Sequence, residues 1–255
     1  MKRARVAYAG AVHEATPHAH GDGRSLRLAD GRIVAEDAVV WLPPFEVGTV
    51  IALGLNYADH AKELAFKPPT EPLVFLKGPH TLTGHRSLTP RPADVRFMHH
   101  ECELAVVIGR AGKRIPRSHA LEHVAGYTVA NDYAIRDYLE NYERPNLRVK
   151  SRDACTPIGP WLVDAADVPD PMNLALRTTV NGRVVQQGST RDMVFDIAAL
   201  IEHLSSFMTL SPGDVILTGT PEGVADCRVG DEVVCEIEGI ARLVNTIAAP
   251  SADSR

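Results

Sequence analysis

Cysteine is sparse in this chain, and none of it is paired in sequence. The four residues, Cys102, Cys155, Cys227 and Cys235, are scattered, with no C-x-x-C unit. That spacing argues against a disulfide framework or a thiolate zinc site and fits a reducing compartment. No stretch approaches the roughly 18 uncharged apolar residues of a membrane span. The opening "MKRARVAYAG" is basic but lacks the apolar segment of a secretory signal. A cytoplasmic protein is expected. Basic clusters are missing too: the densest candidate, "RPNLRVKSRD", includes an acid and reads as a local anion site, and the formal charge is −5. That balance excludes a nucleic-acid surface and a membrane surface. Internal repeats and low-complexity segments are absent.

What is present is an ordinary globular composition: 255 residues, 45% hydrophobic and 23% charged. A chain of this length buries enough surface to need no covalent staples. Residues 1–45 are polar and turn-rich, with "ADG" as a hairpin turn between short strands and "WLPPFEVG" as a proline-stiffened linker. They read as a small β appendage, and 46–255 as the catalytic domain. In the latter, "TVIALGL", "EPLVFLKG", "ECELAVVIGR" and "VAGYTVANDY" read as strands, and "SHALEHV" as a helical stretch. "NYADHAKEL" reads as a helix capped by Asn56 or Asp59. Asn181-Gly182 marks a hairpin turn. "VFDIAALIEHLSSFMTL" has apolar residues at helical spacing, and two alternating strands close the chain. Strands outnumber helices and hairpins outnumber βαβ units. The fold class is therefore mainly β (α+β), with a few covering helices.

Chemistry concentrates in three places. Glu101 and Glu103 lie two apart at the head of the apolar run "AVVIG", so both point to one face of a strand. A solvated strand end would tolerate them. A strand buried on both sides would not, because like charges repel and lose hydration unless a cation compensates. A hard divalent ion (Mg²⁺, Mn²⁺ or Ca²⁺) with oxygen ligands meets that need. Asp132, ending the apolar strand in "GYTVANDY", is the candidate third carboxylate; an Asx turn or a helix cap is its other reading. His60 and Glu63 are i and i+3 and share a helix face, as a proton-transfer pair or as harmless exposed neighbours. Lys77, Arg136, Arg148 and Lys150 could hold a carboxylate-bearing substrate, or be scattered surface charge.

Together, "LGLNYADHAKEL", "PLVFLKGPHTLTG", "HHECELAVVIG", "GYTVANDYAIRDYLE", "VKSRDACTPIGPW" and "GDVILTGTPEGV" resemble, in order, the fumarylacetoacetate hydrolase superfamily, from about residue 48 to 247. "NDYAIRDYLENYERPNLRVKSRD" and the segment around "AFKPPTEPLVFLKG" are most similar to the homoprotocatechuate-pathway branch. That branch contains 5-oxopent-3-ene-1,2,5-tricarboxylate decarboxylases and 2-hydroxyhepta-2,4-diene-1,7-dioate isomerases. The resemblance implies a rolled mixed β-sheet core, with Glu101, Glu103 and Asp132 as metal ligands. It implies His60 and Glu63 as the proton-transfer pair, on a short helix that tends to order on ligand binding. It implies Lys150 beside the metal, Thr220 against a substrate carboxylate, and Arg136 as a further substrate contact; Lys77 is a candidate substrate contact by its charge alone. His99 matches a family position and is given a structural role. His18 and His20 fall outside the resemblance and read as loop residues. Some members carry two modules in one chain; a single module implies a homodimer.

The expected activity is a metal-dependent decarboxylase and/or isomerase of an unsaturated α-keto polycarboxylate, a small-molecule keto acid of aromatic catabolism. A hard ion beside such an acid stabilises developing enolate charge. The alternatives are an acylpyruvate C–C hydrolase, an oxaloacetate decarboxylase, or a non-catalytic metal-binding protein on the same scaffold.

Overall fold

The apolar runs pair as strands about one central ladder. The computed structural model describes residues 1–18, 25–65, 67, 69–139 and 147–250. The strand Cys102–Ile108 is buried at all seven positions, as an apolar run covered on both faces must be. It pairs antiparallel with Val124–Asn131 on one side and Val215–Leu217 on the other. Val50–Gly54 adds parallel to Val215–Leu217, and Leu73–Lys77 adds antiparallel as the edge. On the far side Thr156–Asp164 joins Val124–Asn131, so the sheet is mixed.

A second, five-stranded sheet holds the hairpin Ala175–Val180 and Arg183–Ser189, the strands Glu232–Ile237 and Ala241–Ala248, and Ser87–Pro90. Asn181 and Gly182 have φ of 49° and 77°, the two positive values a tight hairpin turn needs. Among the described residues there are three α-helices: α1 (Ala58–Glu63), α2 (Leu147–Lys150) and α3 (Ile197–Phe207). The Asp196 carboxylate caps α3, accepting from the Ala199 N–H at 2.8 Å. Ile197, Leu200, Ile201 and Leu204 form its buried stripe, in one apolar cluster with Leu104, Val106 and Ile108. Each such side chain contributes about 1.5–3 kcal/mol.

The described residues among the first 42 contribute five strands with their own apolar cluster, from Ala4 to Trp41. They are joined to the core by strand pairing: Lys2 and Arg3 lie opposite Val163 and Leu162. Trp41 belongs to the strand Val40–Leu42 and not to the linker, because that strand pairs with Lys2–Tyr8. His18 ends the strand Ala11–His18, where a loop was expected; His20 lies outside the described residues. Neither expected cap serves α1. Its N-cap is Tyr57, with no side-chain bond. The Asn56 amide is occupied elsewhere, donating to the carbonyls of Phe195 and Thr218. Asp59 sits inside the first turn and accepts from the His60 N–H at 2.7 Å.

Candidate metal centre

Strand register brings the carboxylates together. Cys102 lies opposite Asn131 and Glu103 opposite Ala130. The same register reappears beyond, with Met98 opposite Ile135 and His99 opposite Ala134. Glu101 and Asp132 therefore face each other where the pairing opens, and the Asp132 N–H donates to the Glu101 carbonyl at 2.9 Å. The Glu101 N–H donates to the Asn131 side chain, also at 2.9 Å. Glu103 falls on the same face, two residues along. One oxygen of each acid lies within 4.8 Å of the others, and all three residues are buried.

Three cations converge on this trio. Lys150 Nζ donates to Glu101 Oε2 at 2.5 Å and to Asp132 Oδ2 at 2.9 Å. Arg136 Nη2 donates to Glu101 Oε1 at 2.5 Å, and its Nε to His99 Nδ1 at 3.2 Å. Lys77 Nζ donates to Asp132 Oδ1 at 2.5 Å and to the Lys150 carbonyl. Burial pushes the Glu101 carboxyl up, but the Lys150 and Arg136 charges outweigh it and hold it at about 2. Burial lowers the Lys150 ammonium, but Asp132 and Glu101 outweigh that and hold it above its ordinary value. Burial and the Arg136 charge bring His99 down to about 4, which leaves a neutral ring to accept from Arg136.

Glu103 differs from its neighbours. Its Oε2 accepts from the Gly219 N–H at 2.7 Å, while Oε1 is buried with no partner among the described residues. Burial, then repulsion from Asp132 and Glu101, pushes its carboxyl well above the usual range. An orphaned oxygen among three hard, buried donors fits a divalent cation, which would supply the missing positive neighbour.

The second cluster lies on α1. His60 is 4% exposed and its Nδ1 lies 3.0 Å from Glu63 Oε2, which leaves Nε2 for chemistry. Glu63 Oε1 accepts from the Gly223 N–H at 3.0 Å. The loop after Val215–Leu217 is thus a hub. Thr218 bonds the Leu104 carbonyl, Gly219 holds Glu103, and Gly223 holds Glu63. Gly219 has φ +90°, and a Cβ there would meet Asn56 Cβ at 3.0 Å. Thr220, 2% exposed, follows directly.

Two of the four cations do not contact the carboxylates in the way Lys150 and Arg136 do: Lys77 supports Asp132 from behind, and Arg148 fits the surface-charge reading. Lys77 was expected to touch substrate, yet its side chain is fully enclosed. Its donors go to Asp132, the Lys150 carbonyl and Cys155 Sγ, so it supports Asp132 from behind. Arg148 stands apart from the carboxylates, exposed, with its guanidinium carbon 3.7 Å from the centre of the Tyr138 ring. Sequence reasoning missed Asn56, Asn131 and Gln186. As polar residues in or beside strand-like runs they carry no signal that separates a buried clamp from a solvent-facing side chain.

The fold and the buried acidic centre belong together in one class. Residues 49–248 match the family model described as fumarylacetoacetate (FAA) hydrolase C-terminal, and the chain is a member of that family. A 4-hydroxyphenylacetate degradation bifunctional isomerase/decarboxylase from Salmonella dublin is 58% identical over 230 residues, covering 88% of this chain and 53% of the relative. The chain thus spans about half the length of that relative. The structure of a 5-carboxymethyl-2-hydroxymuconate delta-isomerase from Mycobacterium smegmatis superposes with a TM-score of 0.84 at 39% identity, over 98% of this chain and 100% of that one. A fumarylpyruvate hydrolase from Pseudomonas aeruginosa, in complex with Mn²⁺ and pyruvate, superposes with a TM-score of 0.75 at 33% identity, over 82% and 91% of the two chains. No helix among the described residues is long and apolar enough to cross a membrane.

Proposed function

We propose that this chain is a divalent-metal-dependent isomerase and/or decarboxylase of an unsaturated α-keto polycarboxylate in homoprotocatechuate or 4-hydroxyphenylacetate catabolism. The observation that carries the reading is the buried trio Glu101, Glu103 and Asp132, with one oxygen of Glu103 unpartnered. The 58% identity to an isomerase/decarboxylase supports the substrate class.

Glu101, Glu103 and Asp132 would hold Mg²⁺ or Mn²⁺. The bound ion would supply a positive centre that stabilises charge developing on a 2-oxo group. Lys150 and Arg136 border the carboxylates and orient the acidic substrate. Loss of CO₂ leaves an electron pair that the conjugated 2-oxo group accepts, and a proton must then reach the far carbon. His60 delivers it from Nε2, while Glu63 fixes the ring through Nδ1 and stabilises the imidazolium. Isomerisation of a dienol needs the same parts, because it too moves one proton. Thr220 donates to a substrate carboxylate. The family match begins at residue 49, which supports assigning the chemistry to 46–255 and an accessory role to 1–45. The protein works as a homodimer in the cytoplasm, where its four free cysteines stay reduced.

The test is a substrate panel followed by ultraviolet absorbance, with Mg²⁺ or Mn²⁺ and after chelation. It contains the heptadienedioate, the tricarboxylate, acylpyruvates and oxaloacetate. Fastest metal-dependent turnover of the first two supports the reading. Faster cleavage of an acylpyruvate makes the chain a hydrolase, faster loss of CO₂ from oxaloacetate makes it an oxaloacetate decarboxylase, and metal binding without any turnover makes it a binding protein.

A further inference from the structure

The loop 218–223 rests on the hairpin strand Arg183–Ser189. Two glycines make room for that contact: a Cβ at Gly188 would stand 2.7 Å from Pro221 Cγ, and one at Gly223 would stand 2.9 Å from the Val185 carbonyl oxygen. Gln186 lies on this strand, 1% exposed, beneath Thr220. Its Nε2 donates to Thr220 Oγ1 at 2.9 Å and to the Pro221 carbonyl at 2.8 Å. Its Oε1 accepts from Thr178 Oγ1 at 2.8 Å.

A carbonyl oxygen only accepts, so Pro221 fixes which end of the amide faces the loop. Thr220 Oγ1 is therefore an acceptor from Gln186, and its single proton points elsewhere. No protein group among the described residues takes that proton. Thr220 adjoins Gly219, whose N–H donates to Glu103, so the residue that carries this free proton stands one position along the chain from a contact to the acidic centre.

We propose that Gln186 is a positioning residue, which fixes Thr220 as a hydrogen-bond donor to the carboxylate of a ligand at the metal centre. The inference rests on the keto-acid reading above. A free hydroxyl presents either its proton or its lone pairs, whereas a carboxylate can only accept. Gln186 removes the unproductive choice, and the bond that results is charge-assisted. Gln186→Glu reverses the arrangement. An acceptor-only carboxylate draws the Thr220 proton inward and turns the hydroxyl lone pairs toward the ligand.

The experiment titrates oxalate, a small dicarboxylate probe, into the Mn²⁺-loaded protein by calorimetry. Wild type, Gln186→Glu, Thr220→Val and the double variant are compared, with Mn²⁺ affinity measured separately. Gln186→Glu is expected to weaken oxalate about tenfold or more, the scale of one charge-assisted hydrogen bond. On the Thr220→Val background the same change should weaken oxalate no further, and Mn²⁺ affinity should stay within about twofold. Gln186→Met, which frees the hydroxyl without reversing it, should give a smaller loss of about threefold and carries the test if Gln186→Glu does not fold. An equal loss with and without Thr220→Val overturns the proposal in favour of a purely structural role, and so does unchanged oxalate binding. A wild-type protein that takes Mn²⁺ but no oxalate overturns the keto-acid reading, and this inference with it.

Discussion

The acidic cradle and the His60–Glu63 pair are built in different ways. Glu101, Glu103 and Asp132 sit at the opening of a strand ladder, buried, and tied by backbone pairing and three cations. His60 and Glu63 ride on a six-residue helix with no side-chain cap. A helix that short does not hold itself in water; packing and its links to neighbouring elements hold it. One such link is Glu63 to the Gly223 N–H. The lesson is a division of labour. The groups that would hold charge are fixed by long-range pairing, and the group that would move a proton sits on a short helix that depends on its neighbours.

That contrast can be broken most directly at the cradle. Asp132→Asn, or Glu101→Gln, is expected to abolish metal-dependent turnover and to weaken Mn²⁺ binding, read by calorimetry. Full activity after chelation and re-addition of metal removes the ligand assignment. On the helix the expected pattern is the opposite. His60→Asn should lower kcat by about 10²–10⁴-fold, the usual range for a lost general acid or base, while Mn²⁺ affinity stays unchanged. A parallel fall in Mn²⁺ affinity would merge the two regions into one. Glu63→Gln keeps an acceptor for the Gly223 N–H and should lower kcat less than His60→Asn does.

Lys77 sharpens the cradle side. It is enclosed behind Asp132, and removing one partner of a buried ion pair costs about 3–5 kcal/mol. Lys77→Met should therefore lower the denaturation midpoint, most strongly in metal-free protein, because a bound cation supplies part of the missing charge. Equal destabilisation with and without Mn²⁺ would mean that Lys77 acts through packing alone.

Much of this was legible in the sequence because it depends on local pattern. The seven buried residues of Cys102–Ile108 follow an uninterrupted apolar run, and the stripe on α3 follows its i, i+3, i+4, i+7 spacing. The acidic pair stood out because charge at the head of such a run demands compensation. What escaped was long-range. Lys77 is legible as a cation of the site, but only packing against Asp132 and α2 turns the end of the strand "LVFLK" inward and sets it behind Asp132. Asn56 reads as a helix cap, yet the strand end at Thr218 and the turn at Phe195 claim its amide. Gln186 occupies a polar position of a strand, and nothing local says that a loop more than thirty residues later covers it.

The smallest expected effect tests the helix itself. Lys62 lies exposed in the last turn of α1, next to its final residue. Lys62→Gly removes no buried contact but disfavours the helix by up to about 1 kcal/mol, the figure for a helix interior. That is roughly a fivefold shift in the local opening equilibrium. Amides of α1 should exchange with solvent about fivefold faster, and kcat should fall by a few-fold at most. Exchange in the strand Cys102–Ile108, Mn²⁺ affinity and the global denaturation midpoint should hold. A drop in that midpoint as large as the local change would tie α1 to the global unfolding unit, and the division between a fixed cradle and a locally labile proton donor would be lost.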